Sequence, residues 1–267
     1  MTTVYLSWNP GAHQTLIRHY NDRPVDLLVA YQYLKEFLKR RHKYNVNKWI
    51  IDSGAFTVWK TGKVIDLHEY MAMARDTDAQ EIVMLDVIGG TVEQNMRNAE
   101  IFLSAGLRQM VVSVCHDFYG QARTGRFTRT KATTKESWRY LAWCAERFEK
   151  VGLAPKCSGK WQWLEQAFAR IWPKKTHGFA LASKEALSCV PFHSVDASSW
   201  TYAPFAMGHW AGFTGKQMWL RSTGVRDVWC EVEEHFRRAD WAAHRWRREL
   251  ALLEEPGVGK PTVRQIR

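Results

Sequence analysis

The chain has 267 residues, 46% hydrophobic and 24% charged, enough apolar material for a sizeable core and too much for general disorder. No apolar run reaches the roughly 18 residues that span a bilayer, and MTTVYLSWNPGAHQ lacks a basic stretch followed by an apolar one, so neither a membrane span nor a secretory leader is expected. Thirty-eight Lys and Arg against 27 Asp and Glu leave a formal charge of +11, so the expected partner is a polyanion, nucleic acid first. The five cysteines (115, 144, 157, 189 and 230) form no CxxC pair, which points to reduced thiols in the cytoplasm rather than a disulfide scaffold or zinc ribbon.

Along the chain, β-rich runs alternate with helical patterns. Strands are expected at 4–7, 27–31, 49–52, 82–87, 110–115, 154–157, 178–182 and 192–196. Several are continuous apolar runs, the pattern of a parallel sheet covered on both faces. Asp66 with Glu69, Thr91 with Gln94 and Thr133 with Glu136 fit the capping box that opens a helix, and Gly106 ends the helix that Thr91 opens. Eight β/α units predict an α/β fold of the TIM (β/α)8 barrel type. No linker or repeat divides the sequence, so 1–267 reads as one domain: a barrel over 1–200, a helical part over 201–255 and a flexible tail over 256–267.

Three apolar runs finish in aspartate: WIID52, IVMLD86 and HSVD196. Aspartate is a poor strand residue, and a carboxylate buried there needs compensation. One such residue reads as a helix cap; three at the ends of barrel strands read as chemistry, because barrel enzymes work at that end. Carboxylates sharing a pocket can divide nucleophilic, acid–base and recognition roles. Asp52 is followed by Ser53, Gly54, Ala55 and Phe56, small residues and then an aromatic that could stack on a ligand. The run HGFALAS offers Gly178, Phe179 and Ala180, whose backbone could meet a planar base. His116 and Asp117 stand at a strand end as pocket-lining candidates. Cys115 and His116 make a poor nucleophile pair, since adjacent strand residues face opposite ways.

Arg123, Arg126, Arg129 and Lys131 lie in an acid-free segment and are candidates for phosphate contacts, with 39–43 (Lys39, Arg40, Arg41, Lys43) a second basic cluster. Most of the 14 tryptophans are expected in the core, and Trp241, Trp246 and Leu250 on a helix face packing against the barrel. GVGK at 257–260 lacks the surroundings of a phosphate loop, and His177, His193 and His209 form no ligand pattern.

IDSGAFT resembles the DSGGFQ-type signature of the tRNA-guanine transglycosylases. LD86 resembles their second base-binding aspartate, HGFALAS their glycine-rich run, and SVD196-A-S-S-W the segment bearing their nucleophile, all in the family's order over 48–200. Two departures matter. Past Asp196 only Cys230 remains, so the family's zinc subdomain is absent from the sequence, and the last glycine pair of the glycine-rich run is replaced by Leu181-Ala182. The chain is therefore most similar to the DNA-acting branch, many of whose members are phage-encoded and would work in the host cytoplasm.

The resemblance implies exchange of guanine in DNA for a free 7-deazaguanine base of the preQ0 type, with no metal or other cofactor. Asp196 would be the nucleophile and Asp52 would contact base or sugar and help move a proton. Asp86 would read the guanine N–H donors and Phe56 would stack on the base, with Ser53, Gly178, Phe179, Ala180 and His116 lining the pocket. The target base would be flipped out of the duplex while the basic loop held phosphates. A homodimer is left open. The alternatives are a tRNA-directed transglycosylase without the zinc module, a non-catalytic nucleic-acid-binding barrel, and a two-carboxylate nucleosidase.

Overall fold

The computed structural model describes residues 2–13, 16–17, 24–107, 111–117, 130–156, 159–198, 209–211 and 217–219, with 237–238, 240–242, 244 and 246 in a C-terminal helical segment. Eight strands, β1 (Thr3–Trp8), β2 (Val25–Ala30), β3 (Val46–Asp52), β4 (Glu81–Val83), β5 (Val111–His116), β6 (Lys150–Ala154), β7 (Lys175–Gly178) and β8 (Ser194–Ala197), follow one another in a closed barrel. Closure is by parallel pairing of β1 with β8, Val4 opposite Val195. The α/β TIM-barrel architecture expected from the sequence is the one observed. The helices described between the strands are α1 (Tyr31–Arg40), α2 (Ala55–Thr61), α3 (Leu67–Arg75), α4 (Val92–Ser104), α5 (Lys131–Arg147), α6 (Lys160–Ile171) and α7 (Lys184–Cys189). No helix among the described residues is long and apolar enough to cross a membrane.

The contacts divide the chain into two compact units, Met1–Trp49 with Gly178–Gly259, and Ile50–His177 with Lys260–Arg267. In the first, Phe37 of α1 gathers an aromatic cluster, its ring centroid 5.4 Å from Trp8, 5.1 Å from Trp49 and 6.3 Å from Tyr44. Ala242 and Trp246 of the C-terminal segment are buried, and the Trp246 indole N–H donates to the Leu187 carbonyl at 2.9 Å, so Trp246 packs as its helical spacing predicts. Leu250 lies outside the described residues. In the second unit Tyr70, Phe102, Tyr140, Phe148, Trp163 and Phe168 are fully buried between helices and strands. The Tyr70 hydroxyl, itself buried, donates to the Val83 carbonyl at 2.7 Å.

Local signals explain most element boundaries. Asp66 caps α3 by accepting from the Glu69 amide, and Thr91 with Gln94 forms the full capping box of α4. Gly106, at φ 74°, closes α4: its amide donates to Leu103 O and that of Leu107 to Phe102 O, the paired bonds of a Schellman ending. The cap of α5 is a correction. It is Thr130, not Thr133; Thr133 sits at the third helical position and returns the bond through its hydroxyl, a job assigned by pattern to Glu136, which instead pairs with Arg139.

Three strands differ from their expected places. β6 and β7 begin earlier than 154–157 and 178–182 because polar residues near their starts lie inside. Lys150 is buried against Glu81, and Thr176 and His177 are buried in β7. β4 stops at Val83, although Met84, Leu85 and Asp86 stay buried. Past that point side chains of α4 take over from the sheet. The Asn95 carbonyl oxygen accepts from the Val87 amide at 2.9 Å and its NH2 donates back to Val87 O at 3.3 Å, while Asn98 donates to Leu85 O at 2.9 Å. After residue 200 the chain is not purely helical. β9 (His209–Ala211) and β10 (Gln217–Trp219) pair antiparallel, strands too short to register against a helical period. The proposed tail at 256–267 lies outside the described residues.

Asn95 is fully buried and replaces a strand neighbour. Asn95→Leu, which keeps the volume but strands both polar groups of Val87, is expected to lower the unfolding free energy by about 1–3 kcal/mol. Chemical denaturation measures it; an unchanged midpoint would mean that water replaces the amide at no cost.

Candidate active site

The carboxylates singled out from the sequence stand at the C-terminal ends of their strands. Asp52 is the last residue of β3, Asp86 lies in the loop after β4, and Asp196 is one residue before the end of β8. Each has a local partner.

In the second unit, Asp86 is buried, and its Oδ2 lies 2.8 Å from Nε2 of His116, the last residue of β5. The other imidazole nitrogen faces the Ala154 carbonyl of β6 at 3.4 Å. His116 is thus held between two acceptors and orients Asp86. The second carboxylate oxygen, Oδ1, accepts no hydrogen bond among the described residues. Asp86 therefore keeps one carboxylate oxygen without a protein donor among the described residues, suited to a ligand that brings N–H donors.

Next to His116, Asp117 is fully buried and accepts from the Lys156 amide at 2.9 Å, fixing the chain beyond β6. Cys115 is buried with the Cys144 sulfur beside it, and burial first, then that neighbour, pushes its thiol well above the ordinary value. A thiol so disfavoured as thiolate is no nucleophile, which agrees with the sequence argument against a Cys115–His116 pair.

Asp52 accepts the Gly54 amide on Oδ2 at 3.1 Å, and buried Ser53 accepts the Ala55 amide at 3.4 Å. These bonds turn the chain from β3 into α2, so the Ser53 hydroxyl serves the turn. Phe56, in the first turn of α2, is 46% exposed, with the ammonium groups of Lys60 and Lys156 at 4.5 and 5.3 Å from its ring centroid.

In the first unit, Asp196 is buried and its Oδ1 accepts the Ala180 amide at 2.9 Å. Ala180 has φ 54°, the left-handed region that non-glycine residues avoid. Gly178 is the last residue of β7 rather than the first of a strand, which puts Phe179–Ala182 in the loop beyond it. A Cβ on Gly178 would sit 3.0 Å from both Leu181 Cβ and the Phe192 ring, so the glycine is closely packed by its own loop. The backbone N–H that this run was expected to offer a base is, at Ala180, spent on Asp196. Buried Arg238 reaches the Ala182 carbonyl at 3.5 Å and braces the same loop.

Of the phosphate-binding candidates, Arg123, Arg126 and Arg129 lie outside the described residues. Lys131 is the exposed first residue of α5, where a cation gains nothing from the helix dipole. The second basic cluster is partly engaged: Arg40 pairs with Glu36 at 2.7 Å and Arg41 lies 5.1 Å from the Trp49 ring. Among the described residues no three His, Cys, Asp or Glu side chains cluster as a metal set would. Sequence reasoning missed Asn95, Asn98 and Arg238; an Asn pair spaced one turn apart behind an aspartate-bearing loop was the legible hint.

No family model and no curated protein sequence matches the chain. Among solved structures it is similar to N-(5'-phosphoribosyl)anthranilate isomerase from Pyrococcus furiosus, at 14% identity and TM-score 0.46, covering 90% of this chain and 99% of that one. It is also similar to a chain of the tryptophan synthase complex from Pyrococcus furiosus, at 11% identity and TM-score 0.47, covering 88% and 95%. At these scores neither likeness bears on activity.

Alkylation of the native protein near neutral pH, mapped by mass spectrometry, is expected to leave Cys115 and Cys144 unmodified until the chain is unfolded. Native-state labelling of Cys115 at the rate of a free thiol would contradict its placement.

Proposed function

We propose that the chain is a base-exchanging pentosyltransferase that replaces guanine in DNA with a free 7-deazaguanine, through a covalent ester between Asp196 and the sugar. The observation that carries this reading is the hydrogen bond from the Ala180 amide to Asp196. It joins the two segments that resemble the glycine-rich and nucleophile motifs of the transglycosylases. A hydrogen bond to a charged group contributes about 1.5–3 kcal/mol, comparable with the about 1–2 kcal/mol cost of a left-handed alanine. The local strain is therefore offset by the bond that holds one oxygen of a buried carboxylate in place, the group proposed as nucleophile.

In the first step an Asp196 oxygen attacks C1′ of the target deoxyguanosine. The C1′–N9 bond breaks, its electron pair leaves with guanine, and a proton is delivered to the departing base. In the second, N9 of the incoming 7-deazaguanine attacks C1′, loses its proton and releases Asp196. Two inversions give net retention. Asp52, at a strand end with its Oδ2 on the Gly54 amide, is the group assigned to that proton. Asp86, with Oδ1 open and Oδ2 held by His116, accepts from the N1–H and exocyclic amine of guanine; adenine does not present that donor pair. Specificity for DNA over tRNA rests on the sequence, which has only Cys230 beyond Asp196.

Uptake of labelled guanine into a guanine-containing DNA oligonucleotide, with tRNA in a parallel reaction, tests this assignment. Exchange into DNA is expected, with Asp196→Asn slower by roughly three orders of magnitude and Asp86→Ala losing preference for guanine-type bases. Exchange into tRNA alone would move the substrate to RNA. Release of guanine without uptake would make the protein a hydrolase and sink the exchange mechanism.

A further inference from the structure

Helix α2 places two large aromatic side chains on the surface beside a run of lysines. Phe56 is 46% and Trp59 38% exposed, with ring centroids 5.9 Å apart and planes tilted by 32°. Lys60 lies over the Phe56 ring from the same helix, and Lys156 reaches it from the end of β6. Lys63 stands on the exposed turn after α2, and Val64 beyond it is 90% exposed. Residues 53–65 contain no carboxylate, and none of Lys60, Lys63 and Lys156 forms an ion pair among the described residues. Lys156 is held in place from below: its amide is clamped by the fully buried carboxylate of Asp117.

Two ammonium groups gathered at one exposed ring repel each other and leave apolar surface in water, an arrangement that an anion carrying a planar group would relieve. An ammonium over a ring at an exposed site is held weakly, whereas base–aromatic stacking is stronger and tolerates any base. A base can therefore displace the lysine from the Phe56 face, and the lysine then meets the adjoining phosphate. We infer that Phe56, Trp59, Lys60, Lys63 and Lys156 form a stacking platform for unpaired nucleotides of a polynucleotide strand. The occupant is a single strand, since stacked bases of a duplex offer no face to Phe56. The inference goes beyond base exchange and does not depend on it. It also gives Phe56 a neighbouring nucleotide, rather than the target base, as its stacking partner.

The test uses the full chain carrying Asp196→Asn, so that exchange makes no contribution to the signal. Fluorescence anisotropy follows binding of labelled oligo-dT and oligo-U of about twelve nucleotides across a salt series. Both strands are expected to bind. Phe56→Ala should weaken each by roughly 5- to 20-fold without changing the salt slope, and Phe56→Tyr should stay within about 2-fold. Replacing the three lysines with Gln should flatten the log–log salt slope by about 2, near 0.7 per phosphate. These side chains are exposed, so thermal melts of the variants should match the parent. Unchanged affinity in Phe56→Ala together with an unchanged slope in the lysine variant would overturn the inference and leave the face to a protein partner. Equal sensitivity of duplex binding to Phe56→Ala would also overturn it. Binding as expected, with no exchange by the wild-type chain, would sink the proposed activity alone.

Discussion

A carboxylate buried at the end of a strand must be given donors, because leaving it unpaired costs more than most loops can supply. That constraint shapes the loops at the strand ends of this barrel. Buried Asp196 takes the Ala180 amide, Asp86 takes His116 and Asp117 takes the Lys156 amide, while half-buried Asp52 takes the Gly54 amide. Each donor fixes more than a carboxylate. The Ala180 bond sets the loop after β7, the Asp117 bond sets where Lys156 emerges, and the Asp52 bond starts α2 with its exposed aromatics. Asp86 differs in using a side chain, His116, and its second oxygen accepts no hydrogen bond among the described residues. Closure of the barrel supplies the strand ends, and the carboxylates organise the loops beyond them.

Much of the fold was legible because continuous apolar runs and helix caps are local signals. Trp49–Ile51 are buried as the run before Asp52 implies, and Asp66, Thr91 and Gly106 act where their residue types predict. The illegible parts depended on partners distant in sequence. Lys150 looks like a loop residue until Glu81 meets it, 69 positions away. Asn95 reads as an ordinary helix residue until it stands in for a strand beside Val87. The site was partly legible for the same reason: the aspartates could be named from strand ends, but the histidine and amides that hold them could not be assigned from spacing alone.

The two units carry different halves of the proposed chemistry. Met1–Trp49 with Gly178–Gly259 holds Asp196 and its amide donor Ala180; Ile50–His177 with Lys260–Arg267 holds Asp86, the turn bearing Asp52 and the aromatic–lysine face. In the proposed exchange the bond-making step belongs to Asp196. Phosphate and stacking contacts would then position the strand without taking part in bond making, as backbone contacts do in nucleic-acid recognition generally.

The proposed covalent ester is the step that separates exchange from binding or hydrolysis by water alone, and intact mass measurement tests it directly. The protein is incubated with a guanine-containing DNA oligonucleotide in the absence of acceptor base, then denatured and weighed by intact mass spectrometry. A species with the mass of protein plus oligonucleotide less guanine is predicted, absent in Asp196→Asn and discharged when a 7-deazaguanine is added before denaturation. An adduct that persists in Asp196→Asn would contradict the assignment of the nucleophile. Robust exchange with no adduct under any quench would contradict the covalent mechanism.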